Sequence, residues 1–228
     1  MCSGSILTTL HIITDFIFIA AHCLSRFSFD VKEHSINLFA IFDPNISAKE
    51  ESLTKRRIAY YKIHPDYVKM SIDSNLAIAF LNRPIEYSPF IKPICLWSDS
   101  MNYQNINNVG YTVGWRSICC RSNYTDIKYP LMARMPILNQ EICVWNNEIY
   151  SRHISNYTLC IGGNKGTLCN VPGDTGGGLV IFDEITGRYY LRGIFLESVC
   201  QVGFDLTKEY YIYVDISKNI PWIQQQIT

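Results

Sequence analysis

The chain lacks an excess of either charge, because its 20 Lys and Arg residues balance its 20 Asp and Glu residues. A nucleic-acid-binding protein would need a concentrated basic face, so we predict no nucleic-acid partner. Charged residues make up only 18% of the chain and hydrophobic residues 48%, which argues against disorder. The 228 residues are enough for two small domains or one large all-β unit.

A continuous apolar run long enough to cross a membrane is also missing. Residues 6–21 are mostly apolar, but His11 and Asp15 interrupt them, and a bilayer needs about 20 apolar residues. No basic residue precedes this stretch and Cys23 follows it at once, so it does not have the layout of a signal peptide. We therefore expect no membrane partner.

The nine cysteines include no Cys-x-x-Cys pair, and no metal-ligand cluster has a plausible spacing. Neither a metal nor another cofactor is therefore predicted. Extracellular disulfides explain the cysteines better, and N-glycosylation sequons at Asn45, Asn123 and Asn156 also favour a secreted protein. Residues 162–166 are glycine-rich but lack the Gly-Lys-Ser/Thr of a phosphate-binding loop, which argues against nucleotide binding.

Short segments rich in β-branched and aromatic residues dominate the chain, and turn residues separate them. The predicted strands are 12–20, 35–42, 57–63, 76–81, 109–115, 178–182, 189–195 and 210–214. Helices are predicted over 138–146 and 217–226, the second with Ser217 or Asn219 as its N-cap. Many short strands before a terminal helix indicate an all-β double barrel, divided at the polar stretch 98–108.

Residues 173–178 read Gly-Asp-Thr-Gly-Gly-Gly, which resembles the Gly-Asp-Ser-Gly-Gly-Pro nucleophile loop of chymotrypsin-like serine peptidases. Ala-Ala-His-Cys at 20–23 and Ser-Asn-Leu-Ala-Ile at 74–78 precede it, in the family's order of base, carboxylate and nucleophile. Further matches are 91–96, 113–115 and 221–223, so the resemblance covers the chain from Cys2 onwards. It implies an all-β fold of two packed six-stranded antiparallel barrels, at 1–98 and 109–216, and a C-terminal helix at 217–228. It also implies that the family's first strand is missing.

The resemblance assigns His22, Asn75 and Thr175 to the catalytic triad positions, and two of these residues are degenerate. Asn75 replaces the aspartate that orients the histidine, and its amide can present N–H to the ring and favour the wrong tautomer. Thr175 keeps a hydroxyl but adds a methyl group that restricts χ1. Asp73 lies two residues from Asn75 and is a less favoured substitute carboxylate.

The surroundings of the triad positions depart from the family as well. The backbone of Gly173 and Thr175 corresponds to the oxyanion hole, but the preceding loop is lengthened and contains Pro172. Asp174 matches the carboxylate that pairs with the activated N-terminus of the family, a segment that would lie upstream of Met1. The specificity-pocket positions are occupied by Thr167, Leu196 and Ser198, which do not support a preference for Arg or Lys.

The resemblance also implies the disulfides Cys2–Cys23, Cys143–Cys160 and Cys169–Cys200. A fourth family bridge has no cysteine at either end, where this chain carries Gly110 and Ile181. Cys95 corresponds to a position that joins a light chain or prodomain in some members. No partners are assigned to Cys119 and Cys120.

These observations favour a secreted serine protease homologue that is catalytically impaired and acts as a binding or regulatory module in extracellular proteolysis. Its expected partner is a protein or peptide ligand. The alternative is an active serine-type endopeptidase that uses Thr175 as nucleophile and His22 as base. A third alternative is a decaying gene product.

Overall fold

The computed structural model describes residues 5–6, 15–25, 38–42, 54–88, 91–97, 109–114, 131–146, 151–162, 175–198 and 210–227. Within these ranges the strands are β1 Ser5–Ile6, β2 Phe16–Ile19, β3 Phe39–Phe42, β4 Thr54–Ile63, β5 Ala77–Leu81, β6 Cys95–Leu96, β7 Val109–Gly114, β8 Leu131–Leu138, β9 Thr158–Gly162, β10 Gly178–Asp183, β11 Arg188–Ser198 and β12 Tyr210–Asp215. The helices are α1 Ala21–Ser25, α2 Gln140–Asn146 and α3 Ile220–Ile227. None of them is long and apolar enough to cross a bilayer.

The N-terminal half forms an antiparallel sheet with the described strand order β1-β2-β5-β4-β3. Its central strand β5 is buried along its whole length, whereas β4 alternates between partly buried and exposed residues over most of its length. A strand that is covered on both faces reads as an uninterrupted apolar run, which is what the Ala-Ile-Ala-Phe-Leu of β5 shows. β2 and β5 lie side by side, and the two segments that carry His22 and Asn75 are their direct continuations.

The C-terminal half is a closed barrel. Its strands follow the order β10-β7-β8-β9-β12-β11, and β11 pairs again with β10 to close the ring. The short strand β6 adds to the outside of this order by pairing with β11 in parallel. The closed six-stranded barrel, the partner sheet and the short C-terminal helix confirm the predicted trypsin-like fold.

The largest hydrophobic cluster joins the two halves and the C-terminal helix. It includes Phe18 and Ile78 from the first sheet, Leu191 from the barrel and Ile223 from α3, all of which are buried. A second, separate cluster fills the C-terminal barrel. The core therefore fixes the position of the first sheet relative to the barrel, and the candidate site depends on that position.

A buried ion pair stabilises the end of the barrel next to α3. Arg192 on β11 donates two hydrogen bonds to the carboxylate of Asp215 at the end of β12, one of them at 3.0 Å. The Arg192 guanidinium also lies 4.9 Å from the centre of the Trp97 ring, a cation–π arrangement. Asp215 accepts further hydrogen bonds from the backbone N–H and the hydroxyl of Ser217. This carboxylate therefore caps the 3₁₀ turn Ile216–Lys218 that leads into α3.

Both predicted helices begin later than expected. Leu138 still belongs to β8, and α2 begins at Gln140 because the Asn139 side chain accepts the backbone N–H of Glu141 at 3.1 Å. The predicted start at Ser217 falls in the 3₁₀ turn, and α3 follows Asn219. The side chain of Asn219 donates to the Asp215 carbonyl instead of capping the helix N–H groups.

Gly110 and Ile181 occupy the places where the family resemblance expects a disulfide. β10 pairs with β7 through Leu179 opposite Thr112 and Val180 opposite Tyr111, and continuing this register sets Ile181 opposite Gly110. A Cβ at Gly110 would lie 2.5 Å from Cδ1 of Leu179. The side chain of Leu179 therefore occupies the space that a larger residue at position 110 would need.

Candidate functional site

His22 and Asn75 lie in contact, although 53 residues separate them in sequence. His22 is the second residue of α1, directly after β2, and Asn75 comes just before β5. The backbone N–H of Ala21 donates to the Asn75 carbonyl at 3.2 Å, which fixes the two segments together. The antiparallel pairing of β2 with β5 brings these two strand ends to the same edge of the sheet.

A tight turn holds Asn75 in place. Ser74 has φ of 51°, a left-handed conformation that non-glycine residues adopt at an energetic cost. The backbone N–H of Leu76 donates to the Ser74 carbonyl at 2.6 Å, so the chain reverses sharply around Asn75. Asn75 itself is only 5% exposed. Such strain is typical of functional sites, where it serves to aim one side chain.

The hydrogen bonds of Asn75 determine which way its amide points. Its Oδ1 accepts the backbone N–H of His22 at 2.9 Å, and its Nδ2 donates to the Ser71 carbonyl at 3.4 Å. The flipped amide would place two donors against each other at His22 and two acceptors against each other at Ser71. The observed orientation is therefore the one that satisfies both backbone groups.

The orientation of the Asn75 amide affects which nitrogen of the His22 ring carries the proton. The ring Nδ1 lies 2.9 Å from Asn75 Nδ2 and 3.1 Å from Asn75 Oδ1. A carboxylate would offer only acceptors here and would hold the proton on Nδ1. The Asn75 amide instead offers Nδ1 a donor as well as an acceptor, so, unlike a carboxylate, it can stabilise the tautomer that carries its proton on Nε2. A ring in that state has no free Nε2 lone pair with which to take a proton from a nucleophile.

Thr175 lies in the turn that leads into β10 and is partly buried. Gly176 follows with φ of 90°, which glycine adopts without strain. Two backbone bonds hold this loop against β11: Gly176 N–H donates to the Phe195 carbonyl at 2.9 Å, and Phe195 N–H donates to the Gly177 carbonyl at 2.8 Å. The described residues include no hydrogen bond between the Thr175 hydroxyl and either ring nitrogen of His22.

Asp73 does not take the place of the missing triad carboxylate. Its Oδ1 accepts a short hydrogen bond from the Ser155 hydroxyl, and its backbone N–H donates to Ser71 Oγ at 3.1 Å. The atoms in contact with the His22 ring belong to Asn75. Asp73 therefore connects the first sheet to the segment before β9 instead of orienting the base.

The end of β11 that carries the predicted pocket residues Leu196 and Ser198 is irregular. The pairing of β11 with β12 shifts register between Phe195 and Glu197, so Leu196 lies at an irregularity and packs into the main core cluster. The next residue, Glu197, forms a short contact with the ring of His153. Both side chains are partly exposed, at 39% and 28%. Glu197 and His153 thus form a partly exposed polar pair near the end of β11.

Sequence reasoning missed the pair of Glu197 with His153, and it named Asp73 without its partner Ser155. These partners lie 44 and 82 residues away along the chain, and no local motif marks them. Asp73, which precedes β5, and Glu197, which lies in β11, thus contact two residues of one short segment. Gln140 adds two bonds of 2.6 Å from its Nε2 to the carbonyls of Ser155 and Thr158.

Several predicted site residues lie outside the described residues: Cys2, Asn45, Cys119, Cys120, Asn123, Thr167, Cys169, Pro172, Gly173, Asp174 and Cys200. Ser198 ends β11, opposite Tyr211 on β12. The disulfide Cys143–Cys160 joins α2 to β9, with its Cα atoms 6.6 Å apart. Cys23 is also disulfide-bonded, whereas Cys95 is a free, partly buried thiol. No group of three or more metal-ligating side chains occurs in the described part of the chain.

Comparison with known proteins gives the same family that the fold and the site indicate. The family model described as Trypsin matches residues 1–223. The chain belongs to the trypsin family. In this trypsin-family member Asn75 contacts His22 at the position where the family resemblance expects an aspartate.

Three relatives show how far this trypsin-family chain has diverged. A "Venom protease" of Bombus pensylvanicus is 28% identical over 85% of this chain and 73% of its own length. The "Clotting factor G beta subunit" of Tachypleus tridentatus is 24% identical over 99% of this chain and 70% of its own length. The "Serine protease gd" of Drosophila melanogaster is 25% identical over 97% of this chain, which spans 46% of that protein.

Proposed function

We propose that this chain is an extracellular protease homologue that binds a protein or peptide ligand in its cleft and has little or no peptidase activity. The orientation of the Asn75 amide carries this proposal, because Asn75 Nδ2 lies 2.9 Å from His22 Nδ1, where a carboxylate would accept a hydrogen bond from a protonated Nδ1. Exchange of the triad aspartate for asparagine in a serine protease lowers kcat about 10⁴-fold. This loss corresponds to roughly 5.5 kcal/mol of activation free energy.

The state of Thr175 supports the same conclusion independently. A β-branched residue has few χ1 rotamers, and its methyl group competes for space with the imidazole or the substrate carbonyl. Its hydroxyl makes no hydrogen bond to His22 in the described residues, so the nucleophile and the base are not coupled in this structure. Since triad losses are not additive, the threonine removes less from a site that is already impaired.

Extracellular function is supported by chemistry that belongs to an oxidising compartment. The disulfide Cys143–Cys160 and the bonded Cys23 are typical of secreted proteins. Asn156 is exposed and begins an Asn-x-Thr sequon, which makes it available for glycosylation. The relatives named as a venom protease and a clotting factor subunit agree with a role in extracellular proteolysis. The free thiol of Cys95 is a candidate for joining a light chain or prodomain.

Labelling with a small fluorophosphonate tests this proposal directly, because such a probe needs only an activated hydroxyl and little of the cleft. The purified chain is compared with the matched variants His22→Ala and Thr175→Ala, with trypsin as the positive control. We expect all three forms of this chain to label at the same low rate. We also expect none of them to hydrolyse a broad peptide library.

Labelling of Thr175 that is lost in His22→Ala would contradict the proposal. It would support the alternative of an active endopeptidase with a threonine nucleophile. Peptide hydrolysis that depends on His22 would lead to the same conclusion.

A further inference from the structure

We propose that Tyr211 fills the space beneath the Thr175 loop that would receive a ligand side chain, so that only glycine or alanine fits there. This inference deepens the proposed binding function, and it rests on that function only in assuming that a peptide occupies the cleft. It concerns residues other than His22 and Asn75, and it holds whether or not Thr175 reacts.

The backbone places Phe195 directly beneath the loop. Gly176 and Gly177, the two residues after Thr175, each exchange a backbone hydrogen bond with Phe195, at 2.9 and 2.8 Å. A ligand residue whose carbonyl reached Thr175 would send its side chain past these glycines towards Phe195 and the strands beside it. The residues that line this direction are those of β11 and β12.

Those two strands present aromatic side chains to this space. Phe195 pairs with Tyr213, and Ser198, a predicted pocket residue, pairs with Tyr211. The Phe195 ring lies 5.1 Å from the Tyr213 ring and 6.1 Å from the Tyr211 ring, centroid to centroid. All three side chains are nearly inaccessible to solvent, with 3%, 2% and 5% exposure for Phe195, Tyr213 and Tyr211.

The register shift in β11 separates this cluster from the main core. Leu196, at the shift, packs into the large cluster that joins the two halves, whereas Phe195 packs with Tyr211 and Tyr213 into the second cluster. Met135, Ile161 and Leu179 complete the second cluster within the barrel. The residues of this second cluster therefore pack around Phe195, the residue whose backbone contacts the Thr175 loop.

A core of this density does not accept an added side chain without rearrangement. Protein interiors are packed as tightly as organic crystals, and inserting extra groups forces strained rotamers and backbone shifts. Tyr211 is the member of the cluster opposite the predicted pocket residue Ser198, so its ring is the one that a ligand side chain would have to displace. Glycine and alanine need little of this space.

Binding of four peptides to the full chain tests the proposal. Acetyl-Ala-Ala-Pro-X-amide, with X as Gly, Ala, Phe or Lys, is titrated by calorimetry. We expect the Gly and Ala peptides to bind at least as tightly as the other two. A tenfold or greater preference for Phe or Lys would overturn the proposal. Hydrolysis of any of these peptides would instead contradict the proposed function and leave the role of Tyr211 intact.

Tyr211→Gly should open the space, and we expect the Phe peptide to bind it about tenfold or more tightly than it binds the unaltered chain. The matched control is Tyr189→Gly, at a tyrosine that is 51% exposed and lies in the opposite end of β11, and it should leave all four affinities unchanged. A folded Tyr211→Gly chain without this gain would overturn the proposal.

Indole provides a test that does not depend on the variant folding. Removal of a buried aromatic side chain creates an apolar cavity that can bind small aromatic molecules. Saturation-transfer NMR should show no indole bound to the unaltered chain and indole bound to folded Tyr211→Gly. Indole that binds the unaltered chain and is displaced by the Phe peptide would show an open space, and the proposal would fail.

Discussion

Exchange of Asn75 for aspartate, in a chain that also carries Thr175→Ser, would give the His22 ring two acceptor oxygens. One oxygen would keep the backbone N–H of His22, now bound at 2.9 Å, and Nδ1 would donate to the carboxylate. The proton would then leave Nε2 free to act as a base. The full effect of this change in serine proteases is about 10⁴-fold, or roughly 5.5 kcal/mol.

The structure indicates that the recovery will be smaller. Asn75 Nδ2 now donates to the Ser71 carbonyl at 3.4 Å, and a carboxylate oxygen at that position would face another acceptor. Leaving a buried acceptor without a donor costs about 1–3 kcal/mol, which favours conformations in which the carboxylate turns from the ring. We therefore expect a gain of about 10²- to 10³-fold, since each ~1.4 kcal/mol corresponds to a factor of ten.

The assay is the second-order rate of fluorophosphonate labelling, measured for Thr175→Ser and for Asn75→Asp/Thr175→Ser. The control is Asp73→Asn in the same Thr175→Ser background, because Asp73 lies close by but contacts Ser155 and not the ring. It should change the rate by less than about twofold, a free-energy difference within ordinary scatter. A folded Asn75→Asp/Thr175→Ser chain that labels no faster than Thr175→Ser would refute the reasoning.

Three further predictions concern stability. Gly110→Cys/Ile181→Cys should form a disulfide across β7 and β10, and thiols that stay unpaired under oxidising conditions would contradict the register. Closing a loop of about 70 residues sets an upper limit of ~4 kcal/mol on the stabilisation, and the contact of the new Cβ with Leu179 reduces it. Asp215→Asn should lower the free energy of unfolding by about 3–5 kcal/mol because it leaves the Arg192 guanidinium buried without its counter-charge. Denaturant titration measures this, and a loss below about 1 kcal/mol would show that the pair is not buried in solution. Burial lowers the pKa of His64 below 6.5, so the imidazole binds a proton more readily in the unfolded state than in the folded state. The contribution of neutral His64 to the free energy of unfolding is therefore complete above about pH 6.5 and declines as the pH falls below it. His64→Phe should remove that part of the pH dependence, and an unchanged dependence would show that another group causes it.

Segments rich in β-branched and aromatic residues, separated by turn residues, predict most of the strands, including β4, β5, β7, β10, β11 and β12. The two-residue strands β1 and β6 and the longer strands β8 and β9 are not predicted. β8 contains Pro136 and Arg134 in an eight-residue strand, and β9 is a five-residue strand that includes Cys160 and ends at Gly162. Pro and Gly are depleted in strands, so these strands depend on pairing with neighbours that lie far away in sequence.

Some features of the candidate site could likewise be predicted from the sequence and others could not. The positions of His22 and Asn75 follow from local motifs in the right order, and the structure brings them into contact. The amide orientation depends on the Ser71 carbonyl, and no side-chain motif marks a backbone carbonyl as the acceptor. The role of Tyr211 required the register of β12 against β11, and a register between two strands is not encoded locally in either of them.

The tautomer of the His22 ring is the most direct test of the central claim. In a ¹⁵N-labelled chain at a pH where the ring is neutral, long-range ¹H–¹⁵N correlation spectra distinguish the protonated ring nitrogen from the bare one, and comparison with His22→Gln identifies the signals. We predict a bare Nδ1 that accepts from Asn75 and a protonated Nε2. A protonated Nδ1 with a bare Nε2 would show that the ring is already poised as a base, and it would contradict this account of the site.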